Sequence, residues 1–252
     1  ASSAASDVYK RQIYDHDSEE VANKVSDLIG GNWFHAQQGP DNHAISKYPI
    51  IGSYFIPGYN SASGNGGFLI DLPDTDRDLL FIVAHTPCCD NDSGRQAEVD
   101  AIMGFIRDAK DGSGPLTLKP ESPIIIVGDM NLVGKSQQLE TFLNGNIINT
   151  STYGPRFDPD WDGKDFIDGK PYTTDLPFAY TWYDEGSSFS PGRLDFTIYS
   201  GSVLDDINSY ALFTPALSTD TLNTYGLQFD DVLKASDHLP IVTDFILKEI
   251  SG

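Results

Sequence analysis

The spacing of apolar residues along this chain predicts two amphipathic helices. Val21, Val25 and Leu28 recur at intervals of three and four residues before the pair Gly30–Gly31, which is the pattern of a helix that ends at glycine. Residues 95–109 carry apolar side chains at the same helical spacing and predict a second helix. A shorter helix is predicted over residues 137–143.

Short apolar runs between turn-forming residues predict strands. The run Ile124–Val127 is fully apolar and ends at Gly128, which is typical of a buried central strand. Residues 151–177 are rich in Asp, Gly, Pro and Tyr and predict a long loop. Further strands are predicted over residues 33–34, 43–46, 50–56, 67–71, 79–85, 178–183, 194–199, 204–213 and 240–247. This order favours two packed sheets flanked by helices.

Length and charge narrow the choice of protein class. The chain has 252 residues, of which 39% are hydrophobic, so one large domain with a substantial core is expected, over residues 13–250. No run of 18 apolar residues is present, so no membrane span is expected. A net charge of -21 repels polyanions and disfavours non-specific nucleic-acid binding. The same acidity favours an extracellular or periplasmic location.

The two cysteines and the N-terminus each suggest something local. Cys88 and Cys89 are neighbours, and a disulfide between them would close a strained ring, so two free thiols, buried beside a functional loop, are predicted. Residues 1–12 contain no hydrophobic signal core and resemble a vector-derived tail more than the native start of a domain.

Two polar clusters at the ends of apolar runs are candidates for chemistry. Asp129 and Asn131 follow the predicted central strand, and alternation predicts that both side chains point into one site. Asp237 and His238 precede another strand. Carboxylate and amide oxygens suit a hard cation, and an imidazole can act as a base. The alternative for each cluster is an ordinary polar turn.

Two further residues fit the same chemistry. Asp195 lies among apolar residues of a predicted strand and needs a partner there. That partner is either Arg193, on the same face by alternation, or a histidine from another strand, which Asp195 would hold in one tautomer. His85 ends another predicted strand; a lone histidine in that place is more often structural.

An acidic segment offers a separate cation site. Asp158, Asp160 and Asp162, followed by Gly163, have the spacing of the first half of a calcium-binding loop. The twelfth position is Gly169 instead of Glu. Bound Ca²⁺ and a solvated acidic loop are both compatible with this pattern.

Taken together, these segments resemble the endonuclease/exonuclease/phosphatase (DNase I-like) superfamily. Gly128–Asn131 resembles its Gly-Asp-x-Asn motif, and Ser236–Pro240 resembles its C-terminal Ser-Asp-His signature. Arg193–Phe196 resembles the strand whose aspartate orients the base, and residues 45–50 resemble the family's Ser-Arg-x-Pro-Ile strand. The resemblance extends over residues 13–247.

The resemblance implies a role for each of these residues. His238 is implied to be the general base, oriented by Asp195, and His85 is implied to donate to the phosphate. Asp129 and Asn131 are implied to position the nucleophile and a phosphoryl oxygen. The implied metal contacts, for Mg²⁺ or Mn²⁺, are Asp237, Asp129 and Asn131.

One part of the family's pattern has no counterpart. The family begins with two strands that carry an Asn and a Glu, the principal magnesium ligand, and neither precedes Ile13. We therefore expect the N-terminal strands and that ligand to be missing, with Asp15 or Asp17 as possible substitutes. Missing strands would expose sheet edges, through which chains could pair into oligomers.

The sequence thus predicts a four-layer α/β sandwich with two packed, mostly antiparallel sheets flanked by helices. The expected function is metal-dependent hydrolysis of a small or lipid-like phosphate ester. A nuclease of the same superfamily is the first alternative. A catalytically impaired fragment, or a calcium-dependent binding module on the same fold, is the second.

Overall fold

The computed structural model describes residues 17–59 and 64–249, which alternate between strands and helices. The helices are α1 (Ser18–Ile29), α2 (Asp92–Asp111), α3 (Gln137–Asn144), α4 (Thr150–Tyr153), α5 (Thr219–Tyr225) and α6 (Asp231–Ala235), with a 3₁₀ turn at Thr214–Ala216. The strands are β1 (Phe34–Gln38), β2 (Asn42–Ser46), β3 (Ile50–Pro57), β4 (Gly64–Ile70), β5 (Leu79–His85), β6 (Ile124–Asp129), β7 (Ile167–Asp168), β8 (Tyr172–Thr173), β9 (Asp195–Tyr199), β10 (Leu204–Ala211) and β11 (Ile241–Leu247).

The described strands form one large sheet and two small ones. The large sheet has the order β3-β4-β5-β6-β9-β7, the second has the order β11-β10-β8, and β1 pairs with β2. Within the large sheet only β5 and β6 run parallel. The mixed α/β fold with mostly antiparallel sheets is therefore confirmed, although the second layer of strands is divided between two small sheets.

The central strands of the large sheet are buried on both faces. One face packs against α2 and α3, where Ile82 and Ile126 meet Ile102 and Phe142. The other face packs against the smaller sheets, in a cluster that includes Val127 and side chains from β2, β10 and β11. Helix α1 lies against β1 and β2. Burial on both faces explains why β6 is an uninterrupted apolar run.

Strand β6 approaches β5 so closely that Gly128 is required. Gly128 has φ +130, and a Cβ built there would lie 2.0 Å from the carbonyl oxygen of Ala84. An L side chain is strained at such a φ and would also collide with backbone that cannot move aside. Gly128 therefore fixes the spacing of β5 and β6 one residue before Asp129.

Most predicted elements are confirmed, but one strand is wrong, and the long loop predicted over residues 151–177 contains the two-residue strands β7 and β8. The segment predicted as a strand over residues 178–183 forms only isolated bridges, from Trp182 to Gly192 and to His238. Its aromatic residues stack instead, since Tyr180 and Tyr183 pack on each other and on Phe213. The short helices α5 and α6 carry no sustained apolar period and were not predicted.

The prediction for the cysteines is half right. Cys88 and Cys89 are free thiols, as predicted, but both are exposed. The predicted tail over residues 1–12 lies outside the described residues. Within those that are described, no helix has the length and apolarity that a membrane crossing requires.

His43 on β2 is buried with only one side of its ring paired. Its Nε2 lies 3.2 Å from the carbonyl oxygen of Pro40, whereas its buried Nδ1 has no hydrogen-bond partner among the described residues. Burial disfavours the charged ring and lowers the pKa of His43 below its usual 6.5.

We predict that Gly128→Ala destabilises the protein far more than Gly226→Ala. Gly226 also has a positive φ, +68, but a Cβ there has nothing within 4 Å, so its substitution costs about 1–2 kcal/mol of backbone strain. The contact with Ala84 should raise the cost at Gly128 by at least about 2 kcal/mol. Urea unfolding measures both; equal costs would contradict the close approach of β5 and β6.

A second prediction concerns pH. Because the pKa of His43 is lower in the folded protein than in the unfolded chain, the unfolded chain binds a proton first as the pH falls. The stability that neutral, buried His43 contributes is present above about pH 6.5 and is lost as the pH falls below that value. Between pH 7.5 and 5.5, the free energy of unfolding should fall more for the native protein than for His43→Gln. An identical fall in both would show that His43 does not titrate differently on folding.

Candidate active site

The register of the large sheet places three candidate residues side by side. His85 at the end of β5 pairs with Asp129 at the end of β6, and Asp129 pairs with Asp195 at the start of β9. Directly paired residues on neighbouring strands point to the same face of a sheet. The sheet therefore presents one imidazole and two carboxylates side by side along one edge, on three adjacent strands.

His238 joins this row through Asp195. The Nδ1 atom of His238 lies 2.8 Å from Oδ2 of Asp195, and the two residues are only 6% and 5% exposed. Arg193, the other candidate partner of Asp195, instead forms a bidentate ion pair with Asp168 and stacks over Phe196. Of the two partners that the sequence left open for Asp195, the structure contains the histidine.

The start of β9 is held rigidly where it presents Asp195. The buried Thr181 accepts hydrogen bonds at Oγ1 from the backbone N–H groups of Leu194 and Asp195, at 3.0 and 2.9 Å. The Thr181 carbonyl in turn accepts from the N–H of Leu239, next to His238. One threonine thus fixes the chain on both sides of the Asp195–His238 pair.

His85 has a carboxylate partner of its own, Asp41. The Nδ1 atom of His85 lies 2.5 Å from Oδ2 of Asp41, in the turn between β1 and β2. The His85 backbone N–H donates to Oδ1 of Asn65 at 3.0 Å, and Asn65 Nδ2 donates to the buried Glu98. Sequence reasoning missed Asp41, because its partner is 44 residues away and no local pattern marks it.

Asp129 lies between the two imidazoles. Its Oδ2 is 3.7 Å from Nε2 of His85 and 4.0 Å from Nε2 of His238. In each histidine, Nδ1 faces an aspartate and Nε2 faces Asp129. The three candidate residues His85, Asp129 and His238 therefore surround one small space.

Asn131 adjoins this space, but not by strand alternation as predicted. The strand ends at Asp129, and Asn131 adopts the left-handed conformation with φ +46. Its backbone N–H donates to Oδ1 of Asp129 at 3.0 Å, and its side-chain amide donates to the carbonyl oxygen of Thr86 at 2.9 Å. Asn131 thus braces the Asp129 carboxylate and the chain that follows His85.

Asp237 points to the other side of the His238 segment. Its Oδ2 accepts a hydrogen bond from the indole Nε1 of Trp182 at 3.0 Å. It also lines a cavity of about 310 Å³, together with Tyr183, Asp184, Glu185 and Lys234. The ammonium group of Lys234 is 2.8 Å from Asp230, so carboxylates dominate the charge of this cavity.

These donors do not by themselves fit a complete site for a divalent cation. Among residues 17–59 and 64–249, no three His, Cys, Asp or Glu side chains are grouped to hold a metal ion. Asp237 bonds to Trp182, and Asp129 faces the imidazoles and Asn131. Of the suggested substitutes, Asp17 caps α1 by accepting from the N–H of Glu20, and Asp15 lies outside the described residues.

The acidic loop does not have the geometry of a calcium site. The Asp160 carboxylate accepts from the backbone and hydroxyl of Ser202, while Asp162 pairs with Lys164. The ammonium of Lys110 donates to the carbonyl oxygens of residues 158–160 at 2.7–3.2 Å. A lysine charge therefore occupies the position where carbonyl oxygens converge, and the calcium interpretation of Asp158, Asp160 and Asp162 has no support from this arrangement.

Solved structures share this fold at low sequence identity. ANGEL2, described as a 2',3'-cyclic phosphatase, gives a TM-score of 0.58 at 15% identity, over 92% of this chain and 79% of that chain. A mannosyl-6-phosphatase from Bacteroides thetaiotaomicron gives 0.53 at 15% identity, over 90% and 82%. TDP2 from D. rerio, solved with a single-strand DNA product, gives 0.53 at 13% identity, over 89% and 81%.

The sequence itself carries the signature of one family. No curated protein matches the chain. The model of the Endonuclease/Exonuclease/phosphatase family, however, matches residues 14–238, which include every residue of the row described above. Members of this family are hydrolases that act on phosphate esters, and they generally use divalent metal ions. The chain belongs to the Endonuclease/Exonuclease/phosphatase family.

Proposed function

We propose that this protein is a metal-dependent phosphoesterase that hydrolyses small phosphate esters, with His238 as the general base. The observation that carries the proposal is the position of Asp129 between the Nε2 atoms of His238 and His85, at 4.0 and 3.7 Å. A phosphoryl group in this space can meet a base, a proton donor and a carboxylate at once.

The His238–Asp195 pair supplies the base. Asp195 accepts the Nδ1–H hydrogen bond, which selects the tautomer whose Nε2 lone pair can take a proton. His238 then removes a proton from the attacking water, and Asp195 stabilises the imidazolium that forms. The burial of both residues strengthens this interaction, because little solvent screens it.

The His85–Asp41 pair supplies a hydrogen-bond donor on the side of Asp129 opposite to His238. Asp41 holds Nδ1 of His85, so a protonated His85 directs its Nε2–H toward the space beside Asp129. That hydrogen bond stabilises charge that develops on a phosphoryl oxygen. Asp129 orients the water, and Asn131 keeps the Asp129 carboxylate in position through its backbone N–H.

Metal dependence by Mg²⁺ or Mn²⁺ is part of the proposal. A divalent cation would supply further neutralisation of the phosphate charge. Asp237, Asp129 and Asn131 were predicted as its contacts; Asp237 accepts from the indole of Trp182, whereas Asp129 lies between the two imidazoles. The proton transfers above therefore rest on the chain's own groups.

The acidic residues beside Asp237 disfavour a nucleic-acid substrate. Asp184, Glu185 and Asp237 line a space of about 310 Å³ next to His238 in the chain, and the negative charge of these carboxylates repels the further phosphates of a polyanion. The net charge of -21 acts in the same direction at long range. A nuclease of this family, our alternative, would need a basic groove.

We predict metal-dependent hydrolysis of mono- or bis-p-nitrophenyl phosphate, abolished in His238→Ala. Removal of the base should lower kcat by about 10²–10⁴-fold. The matched control is His35→Ala, which removes an exposed histidine of β1 and should leave turnover unchanged. Release of p-nitrophenol by the native protein and both variants, with Mg²⁺, with Mn²⁺ and with EDTA, measures the turnover and its dependence on metal.

Four results would count against this function. Turnover that survives in His238→Ala contradicts the assignment of the base. Turnover that is unchanged in EDTA contradicts metal dependence. Faster cleavage of single-stranded DNA than of either small ester would favour the nuclease, and no turnover of any ester would favour a catalytically impaired protein.

The two orienting aspartates should differ in their effects. Asp195→Asn leaves a poor acceptor for the Nδ1–H of the base and should lower kcat by about 10²–10⁴-fold with little change in KM. Asp41→Asn affects only the donor and should cost about 10–10²-fold. Asp244→Asn, on the exposed side of β11, is the control. A larger loss for Asp41→Asn than for Asp195→Asn would reverse the roles assigned to the two histidines.

A further inference from the structure

The segment that follows His85 presents two adjacent thiols to solvent. Cys88 and Cys89 are both free and exposed, and they are the only cysteines in the sequence. The two thiols are carried by consecutive residues, so they leave neighbouring points of the backbone. Nothing in the proposed hydrolysis uses them.

The backbone around these thiols is held by buried groups. Arg95, only 1% exposed, donates from Nη1 to the carbonyl oxygens of Pro87 and Cys89, at 2.9 and 3.0 Å. Thr86 donates from its N–H to the Asp129 carbonyl at 3.0 Å and from its hydroxyl to Met130. The pair is therefore pre-organised, so a ligand that needs both sulfur atoms loses little chain entropy on binding.

The thiols also lie close to the catalytic row. The hydrogen bond from Cys89, partial burial and the nearby Cys89 and Asp129 charges raise the pKa of the Cys88 thiol. The segment 86–89 begins directly after His85, and Thr86 donates its N–H to the Asp129 carbonyl, so Cys88 follows His85 by three residues at the same end of the sheet.

An internal disulfide is a poor use of this pair. Consecutive Cα atoms are about 3.8 Å apart, whereas disulfides normally join Cα atoms about 4.4–6.8 Å apart. A large soft atom placed between the two sulfur atoms removes this strain, since each of its bonds to sulfur is longer and the bridge contains one more atom.

The number of ligands selects which soft atom fits. A structural zinc ion needs about four protein ligands, but among the described residues no group of three or more His, Cys, Asp or Glu is placed to hold a metal. A trivalent arsenic atom that already carries one organic group needs only two thiolates.

We propose that Cys88 and Cys89 form a bidentate binding site for monosubstituted trivalent arsenicals, beside His85. With phenylarsine oxide, two As–S bonds form and the As=O bond breaks. The oxygen takes both thiol protons and leaves as water, so arsenic remains trivalent and no oxidant is required. This site is independent of the function proposed above.

Intact-mass spectrometry of the full chain with phenylarsine oxide tests the site. We expect one adduct per chain, formed with loss of one water, which a dithiol such as 2,3-dimercaptopropanol removes and an equal excess of 2-mercaptoethanol does not. Cys88→Ser and Cys89→Ser should each bind at least about 100-fold more weakly. Alkylation of the remaining thiol by iodoacetamide in each variant shows that the fold still exposes it.

The opposite results would overturn the proposal. Equal adduct formation by either single variant would show that one thiol suffices. Removal of the adduct by 2-mercaptoethanol at the same concentration would exclude a chelate. For the location, the adduct should shift the imidazole NMR signals of His85 but not those of His35, and unchanged His85 signals would contradict it. All these readouts hold whether or not the protein hydrolyses an ester.

Discussion

The site depends on the register of β6 between its two neighbours. Because β6 runs parallel to β5 and antiparallel to β9, the end of β5, the end of β6 and the start of β9 meet at one edge of the sheet. A shift of β6 by one residue would turn Asp129 to the opposite face. Gly128 secures this register, because only a residue without a side chain tolerates the approach of Ala84.

Paired ionisable groups make this arrangement tolerable inside a folded protein. A buried carboxylate or imidazolium without a partner costs several kcal/mol or more. Asp195 is matched by His238 and Asp41 by His85, while Asp129 receives the N–H of Asn131. The two hydrogen bonds to histidine also aim one Nε2 atom each at the same space, so stability and chemistry depend on the same contacts.

The sequence predicts the parts of the site that depend on local pattern. The apolar run before Gly128 identifies a central strand, and an acid within the apolar strand at Asp195 signals a buried partner. Asp41 could not be predicted, because it meets His85 only through the packing of the β1–β2 turn on the sheet. Alternation failed for Asn131, since its left-handed backbone ends the strand geometry. The sequence pattern of the acidic loop also could not show that Lys110, from a distant helix, donates to the carbonyl oxygens of the loop.

In the proposed reaction, both imidazoles serve one phosphoryl group beside Asp129. The most direct measurement is an NMR titration of the protein with orthovanadate in the presence of Mg²⁺, which follows the side-chain nitrogen signals of the histidines. We expect the Nε2 signals of His85 and His238 to shift together, with one shared dissociation constant. Saturable binding that shifts only one of them, or neither, would contradict it.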